Sequence, residues 1–226
     1  MKGFPSFATI AALMGDPARA LMLDLLMDGE AHSASALAEA AGVSPQTASG
    51  HLARMRDARL VEMEARGRHR FYRLGGHRVA EAVEGLALLA DDLPQEKVQS
   101  SRDIRAARTC YDHLAGRLGV ALTQAMMKAG YLRLRGEAFH LTGSGRRFLE
   151  EDLGLDVEAA LGKRRKFARA CLDWSEREPH LAGSLGAALA ERSLQAGWVA
   201  RQAEGRGLTV TRKGQAAFRR HFGVAL

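Results

Sequence analysis

Four side chains hold much of this chain's potential for site chemistry: Cys110, His113, Cys171 and His180. Cys110 and His113 are three residues apart, and the surrounding apolar stripe predicts that they share one helix face. Cys171 and His180 are nine apart, across a stretch containing Pro179. Brought together, two thiolates and two imidazoles would make a tetrahedral site for Zn or another soft metal ion. The same residues fit three other readings. They can be small core thiols and histidines bonded to backbone carbonyls. They can line a pocket for an organic effector together with Tyr111 and Trp174. The two thiols can also act as a redox pair. Residue types alone leave these open. No Gly-rich phosphate loop, carboxylate pair or nucleophile elbow accompanies them, so catalysis is not expected.

The elements that must position these residues are repeated. HLAGRLGVAL (113–122) and HLAGSLGAAL (180–189) agree at eight of ten positions, 67 residues apart. Ala129-Gly130-Tyr131 matches Ala196-Gly197-Trp198 at the same offset. Leu141-Thr142 through Gly145 matches Val210-Thr211 through Gly214 at 69, and Ala107 through Cys110 matches Ala168 through Cys171 at 61. The pattern predicts tandem helix–hairpin–helix repeats, each winged-helix-like, over about 101–155 and 163–226. Two such units should pack about a pseudo-twofold axis. Gly116, Gly119, Gly183 and Gly186 cost helix stability, so they are expected where a side chain would clash.

The first ninety residues read differently. Asp16-Pro17 opens a helix, with Asp16 as cap and Pro17 at the first helical position. Ser33 starts a second helix that ends at Gly42. Ser44-Pro45 starts a third, with Val43, Ala48, Leu52 and Met55 as its apolar stripe. Two short helices around a Gly-containing turn make a helix-turn-helix. Residues 60–64 and 70–74 alternate as strands around the turn Arg66-Gly67-Arg68-His69, which completes a winged helix. Residues 54–78 hold eight Arg against Asp57, Glu62 and Glu64. Gln, Ser and Thr at the start of the third helix can bond base edges. Arg54, Arg56 and the wing arginines can neutralise phosphates.

The segments GDPARALMLDLLMDGE and ALAEAAGVSPQTASGHLARMRDARLVEMEARGRHRFYRL, with the helix that follows, resemble the ArsR/SmtB family of bacterial winged-helix regulators. The resemblance covers residues 7–90. It implies a homodimer on double-stranded, imperfectly palindromic operator DNA, with the first helix and the helix of about 77–90 forming the interface. It places Ser44, Gln46, Thr47, Ser49 and His51 toward DNA, with Arg68 and Arg70 at the wing; His51 by itself reads as a packing or phosphate contact rather than a base reader. Two metal sites known in that family lack their residues here. The segment HSASALAEAAG has no cysteine, and His77 is the single histidine of GGHRVAEAVEGLALLADD. Glu81 and Glu84 of that helix read as solvated or dimer-rim charges.

Charge and composition bound the rest. The net charge is +7; residues 1–90 contain ten Lys/Arg and ten Asp/Glu, so the whole excess lies beyond them. Part of it is the run Lys163-Arg164-Arg165-Lys166, which reads as a solvated face or, next to a DNA-binding domain, as an extension of the phosphate contacts. No apolar run is long enough to span a bilayer, the N-terminus reads poorly as a signal peptide, and two cysteines make no secreted disulfide framework. A cytoplasmic protein without membrane partners is expected. The sequence therefore predicts a mainly α protein with small β-hairpins in two domains. Residues 1–92 form a DNA-binding and dimerisation domain, and 98–226 a duplicated effector-sensing domain, joined by a linker near 91–96. The expected function is a transcriptional regulator, a repressor, whose operator affinity responds to a small-molecule or metal effector. The alternative is a metal- or thiol-handling protein or enzyme with an incidental winged helix.

Overall fold

The structure, a computed structural model, describes residues 7–67, 69–90, 102–202 and 205–225. The expected linker at 91–96 and the wing residue Arg68 lie outside these. The chain divides into two compact units, residues 1–85 and 86–226.

In the first unit, helices α1 (Phe7–Met14) and α2 (Pro17–Leu26) precede the short strand β1 (His32–Ser33). Helices α3 (Ala34–Ala40) and α4 (Pro45–Asp57) form the helix-turn-helix. Strands β2 (Val61–Arg66) and β3 (His69–Leu74) form the wing, and α5 (His77–Ala90) follows and crosses the boundary between units. The sequence signals act through identifiable bonds. Asp16 Oδ1 accepts from Arg19 N at 3.0 Å, Ser33 Oγ from Ala36 N at 3.2 Å and Ser44 Oγ from Thr47 N at 3.1 Å. Each satisfies a helix-start N–H that has no intrahelical partner. Gly42, at φ 63°, ends α3 in the left-handed conformation that turns the chain into α4. Met22, Leu26, Leu37, Leu52 and Met55 are fully buried between these helices. The three strands pair in the order β1-β3-β2, and β2 and β3 are in register from Val61↔Leu74 to Arg66↔His69.

The second unit contains the repeat, with a different division into elements from that expected. Instead of one helix from 101 to 130, α6 (Arg102–Ala106) stops early. Strands β4 (Arg108–Cys110) and β5 (His113–Ala115) follow, and α7 (Gly116–Lys128) begins only at the fourth residue of the decamer. Strands β6 (Leu132–Arg135) and β7 (Ala138–Leu141) form a hairpin. Helix α8 (Gly143–Arg147) runs on into a π-helical turn over Phe148–Asp152, and α9 (Val157–Leu161) follows. The second copy repeats the pattern: β8 (Arg169–Leu172), β9 (Pro179–Ala182), α10 (Gly183–Gln195), β10 (Val199–Arg201), β11 (Leu208–Val210) and α11 (Arg212–Phe222). Each repeat is thus hairpin, helix, hairpin, helix.

Contact with the other repeat holds 108–115 out of a helix. Leu208 N donates to Ala107 O at 2.9 Å and Thr109 N to Arg206 O at 2.9 Å. Phe139 N donates to Ala168 O at 3.0 Å and Ala170 N to Glu137 O at 3.0 Å. The second pair of bonds is the first with the two repeats exchanged, as the offsets of 61 and 69 require. Each late hairpin therefore pairs with the early hairpin of the other copy, in pseudo-twofold fashion. The two closing turns also match. Thr142 N donates to Tyr131 O and Thr211 N to Trp198 O, each at 3.0 Å. Beneath them lies one core containing Leu118, Leu122, Leu149, Leu185, Trp198 and Phe218.

The repeated glycines sit where α7 and α10 meet the opposite hairpins. A Cβ on Gly119 would collide with the Leu114 carbonyl and lie 3.7 Å from His180 Cβ. A Cβ on Gly186 would collide with the Leu181 carbonyl and lie 3.3 Å from His113 Cβ. Gly186→Ala is accordingly expected to lower unfolding stability by about 1–3 kcal/mol, the cost of overpacking. Gly50→Ala, whose Cβ would meet nothing within 4 Å, is expected to raise it by about 0.5–1 kcal/mol. Urea unfolding of both variants checks this, and equal effects would contradict it.

Candidate functional site

The exposed face of the first unit is built on α4. Ala48, Leu52 and Met55 are buried, which turns Gln46, Thr47, Ser49 and Arg54 outward. Ser44 is exposed, but its Oγ is committed to the helix start and lies 2.8 Å from Thr47 Oγ1. His51 is half-buried and faces inward: its Nδ1 is 3.1 Å from Arg19 Nη1 and 4.0 Å from Asp16 Oδ1. Arg19, itself buried, also donates through Nε to Leu13 O at 2.6 Å and through Nη2 to Ala12 O at 3.0 Å. His51 thus anchors α4 to the α1–α2 corner. On the wing, Arg66 pairs with Glu64 and Arg73 with Glu62. Arg70 is exposed and, like Arg54, has no carboxylate partner among the described residues. The later helix corrects one expectation: Glu84 is buried rather than solvated, while Glu81 lies 3.1 Å from His77.

In the second unit Cys110, His113, Cys171 and His180 come together, with their potential ligand atoms all within 4.8 Å of one another. They do so as strand partners, which corrects the expected shared helix face. Cys110 stands opposite His113 in the β4–β5 pair, and Cys171 opposite His180 in the β8–β9 pair. The six residues inserted between Cys171 and His180 form the longer turn of the second hairpin and leave the pairing unchanged. All four residues are buried. His113 Nε2 is 3.1 Å from His180 Nε2.

A carboxylate stands behind each imidazole. Asp112 Oδ1 is 3.4 Å from His113 Nδ1, and Asp173 Oδ2 is 3.2 Å from His180 Nδ1. Asp173 is held in turn by Arg108 Nη2 at 2.8 Å, Gly116 N at 2.7 Å and Ser175 Oγ at 2.9 Å. Asp112 pairs with Arg165, whose Nη2 donates to Gly183 O at 2.6 Å. His113 Nδ1 makes its contact with Asp112, whereas His180 Nδ1, although 3.2 Å from Asp173 Oδ2, has no aligned hydrogen bond. The two Nε2 atoms face each other across the pseudo-axis, where a proton on one of them, or a cation between them, joins the rings. Burial opposes charge on His113, but Asp112 and the Cys171 thiolate outweigh it and hold the imidazole up to about 9. A hydrogen bond from Cys110, against the cost of burial and aided by both histidines, holds Cys171 well below the ordinary thiol range. Despite its burial, Asp173 is held below the carboxylate range by His180 and Arg108. Its S2N2 donor set suits a tetrahedral ion such as Zn(II).

Residues 14–64 match a family described as a helix-turn-helix domain. The chain is 42% identical over 228 residues to an uncharacterized HTH-type transcriptional regulator, YdfF, of Bacillus subtilis (strain 168). That match covers 98% of this chain and 99% of the relative. The chain belongs to the HTH-type transcriptional regulators. Solved structures similar to part of it include NolR from Sinorhizobium fredii, at 28% identity over 36% of this chain and 81% of that one, with a TM-score of 0.34. HlyU from Vibrio cholerae N16961 is 26% identical over 38% of this chain and 91% of that one, with a TM-score of 0.35. The regulator is a DNA-binding protein of a regulatory family, not of an enzyme family. Among its described residues no helix is long and apolar enough to cross a membrane.

The two aromatic residues expected beside the regulator's histidines take other roles. Trp174 is buried with the guanidinium groups of Arg105 and Arg108 over its ring, at 5.0 and 4.8 Å. Tyr111 occupies the left-handed position (φ 62°) of the β4–β5 turn. Neither lines the groove of about 530 Å³ that opens beside Asp112, Arg165, Ser184 and Arg192. Asp112 and Asp173 are absent from the expectations drawn from sequence. Their signal was available, since Cys-x-Asp recurs at the same offset of 61 as the cysteines. The buried Arg108–Asp173 pair gives a direct test. Arg108→Met leaves Asp173 charged, buried and short of a partner, and is expected to cost about 3–5 kcal/mol in urea unfolding at pH 7. A loss within error of zero would contradict the pair's structural role.

Proposed function

We propose that the regulator is a homodimeric repressor whose operator affinity is set by a metal ion bound at Cys110, His113, Cys171 and His180. The observation that carries the effector reading is the pair of Nε2 atoms 3.1 Å apart between two buried thiols. Zn(II) or another soft ion would replace the bridging proton. In this reading α4 enters the major groove. Gln46, Thr47 and Ser49 meet base edges, Ser44 fixes the helix start against a phosphate, and His51 keeps α4 at its angle. Arg54, Arg68 and Arg70 bear on phosphates or the minor groove. Dimerisation is supported by large apolar side chains left exposed on the helices the family resemblance assigns to the interface: Leu21 on α2, and Leu86 and Leu89 on α5. The effector need only favour one spacing of the two recognition helices, and a coupling of about 1–3 kcal/mol changes affinity about 5–150-fold.

Fluorescence anisotropy tests this with duplex DNA from upstream of the protein's own gene, across a salt series, with zinc or with a chelator. The reading expects specific binding that weakens with salt and shifts by a factor in that range on metal addition. Affinity no better than for random duplex would refute operator binding. Identical curves with zinc and chelator would refute the metal effector. Two substitutions separate the DNA contacts. Gln46→Ala should relax discrimination at one base position by about 1–3 kcal/mol, whereas Arg54→Ala should weaken all sequences alike and reduce the salt slope by about 1. The same selective loss from both variants would contradict the assigned roles.

A further inference from the structure

The two outer carboxylates of the cluster are equivalent in sequence but not in access. Asp173 and its partner Arg108 are both 0% exposed in their side chains. The side chains of Asp112 and Arg165 are 31% and 28% exposed. Both line the groove of about 530 Å³, together with Lys163, Ser184 and Arg192. One side of the cluster is therefore sealed, and the other meets solvent through a single ion pair. Arg165 belongs to the basic run 163–166, yet it is turned inward, bridging Asp112 of the first repeat to Gly183 O of the second. This contact latches the edge of the β4–β5 turn, where His113 stands, against the start of α10.

We infer that the Asp112–Arg165 pair is the gate through which a metal ion enters and leaves the Cys110/His113/Cys171/His180 cluster. The inference rests on the metal reading given above. Release of the ion requires His113 Nε2 to swing from it, and Asp112 restrains that ring through Nδ1. Arg165 restrains Asp112 and lines the groove beside it. Asp112 and Arg165 are positioning residues in this scheme, and the four ligands are untouched when either is changed. Exchange should quicken strongly while the cluster still binds one ion.

The experiment loads the full chain with zinc, removes excess, and follows first-order transfer of zinc to a colorimetric chelator. Arg165→Ala and Asp112→Asn are expected to keep one zinc per chain and to release it on the order of tenfold faster, the low end of what outer carboxylates contribute. Arg165→Lys, which keeps the charge but not the two-pronged contact, should fall between them and wild type. Lys163→Ala, in the same groove but outside the latch, should match wild type. Wild-type rates in both Arg165→Ala and Asp112→Asn would overturn the gate and leave the metal reading standing. Equal acceleration by Lys163→Ala would also overturn it, since groove charge and not the latch would then govern exchange. Wild-type protein that takes up no zinc would overturn the metal reading and the gate together.

Discussion

Two buried imidazole nitrogens 3.1 Å apart, each ring with its other nitrogen near a carboxylate, need a proton or a cation between them. Much of the second unit can be traced to meeting that need. The rings reach the axis because β5 and β9 are brought there by equivalent hairpins. Those hairpins are held by strand pairing that exchanges the two repeats. Gly119 and Gly186 let each helix lie against the Leu114 or Leu181 carbonyl, where a Cβ would collide. The buried carboxylate of Asp173 and the half-buried one of Asp112 are answered by Arg108 and Arg165. A charge at the centre thus propagates outward as a chain of compensations, ending in one sealed flank and one flank at the surface.

The first unit is organised by a simpler constraint, the placing of one polar helix face in water by an apolar one beneath it. Capping at Asp16, Ser33 and Ser44 sets where each helix begins, and burial of Leu52 and Met55 sets which way α4 faces. His51 shows how position and role can part. It lies on the recognition helix but spends its nitrogen on Arg19. The proposed reading face of Gln46, Thr47 and Ser49 is small, as expected where phosphates give affinity and few base contacts give selectivity.

The winged helix was legible in sequence because its signals are local. Caps, a proline at the first helical position and an alternating hairpin each act within a few residues. The cluster was half legible. Duplication marked Cys110, His113, Cys171 and His180 as equivalent, but the expected shared helix face for Cys110 and His113 was wrong. Arg108 to Ala115 follows a helical apolar period, and nothing local marks three-residue strands there. The strand state comes from bonds to residues about a hundred positions away, such as Thr109 N to Arg206 O. Long-range pairing overrode local period. Asp112 and Asp173 went unmarked because a surface-type residue beside a ligand reads as solvated until its burial is seen.

X-ray absorption at the zinc edge, on the zinc-loaded full chain, decides whether the two repeats share a metal ion as proposed. A shared site gives a four-coordinate ion with two sulfur ligands at about 2.3 Å and two nitrogen ligands at about 2.0–2.1 Å. A first shell of oxygen and nitrogen alone would contradict it.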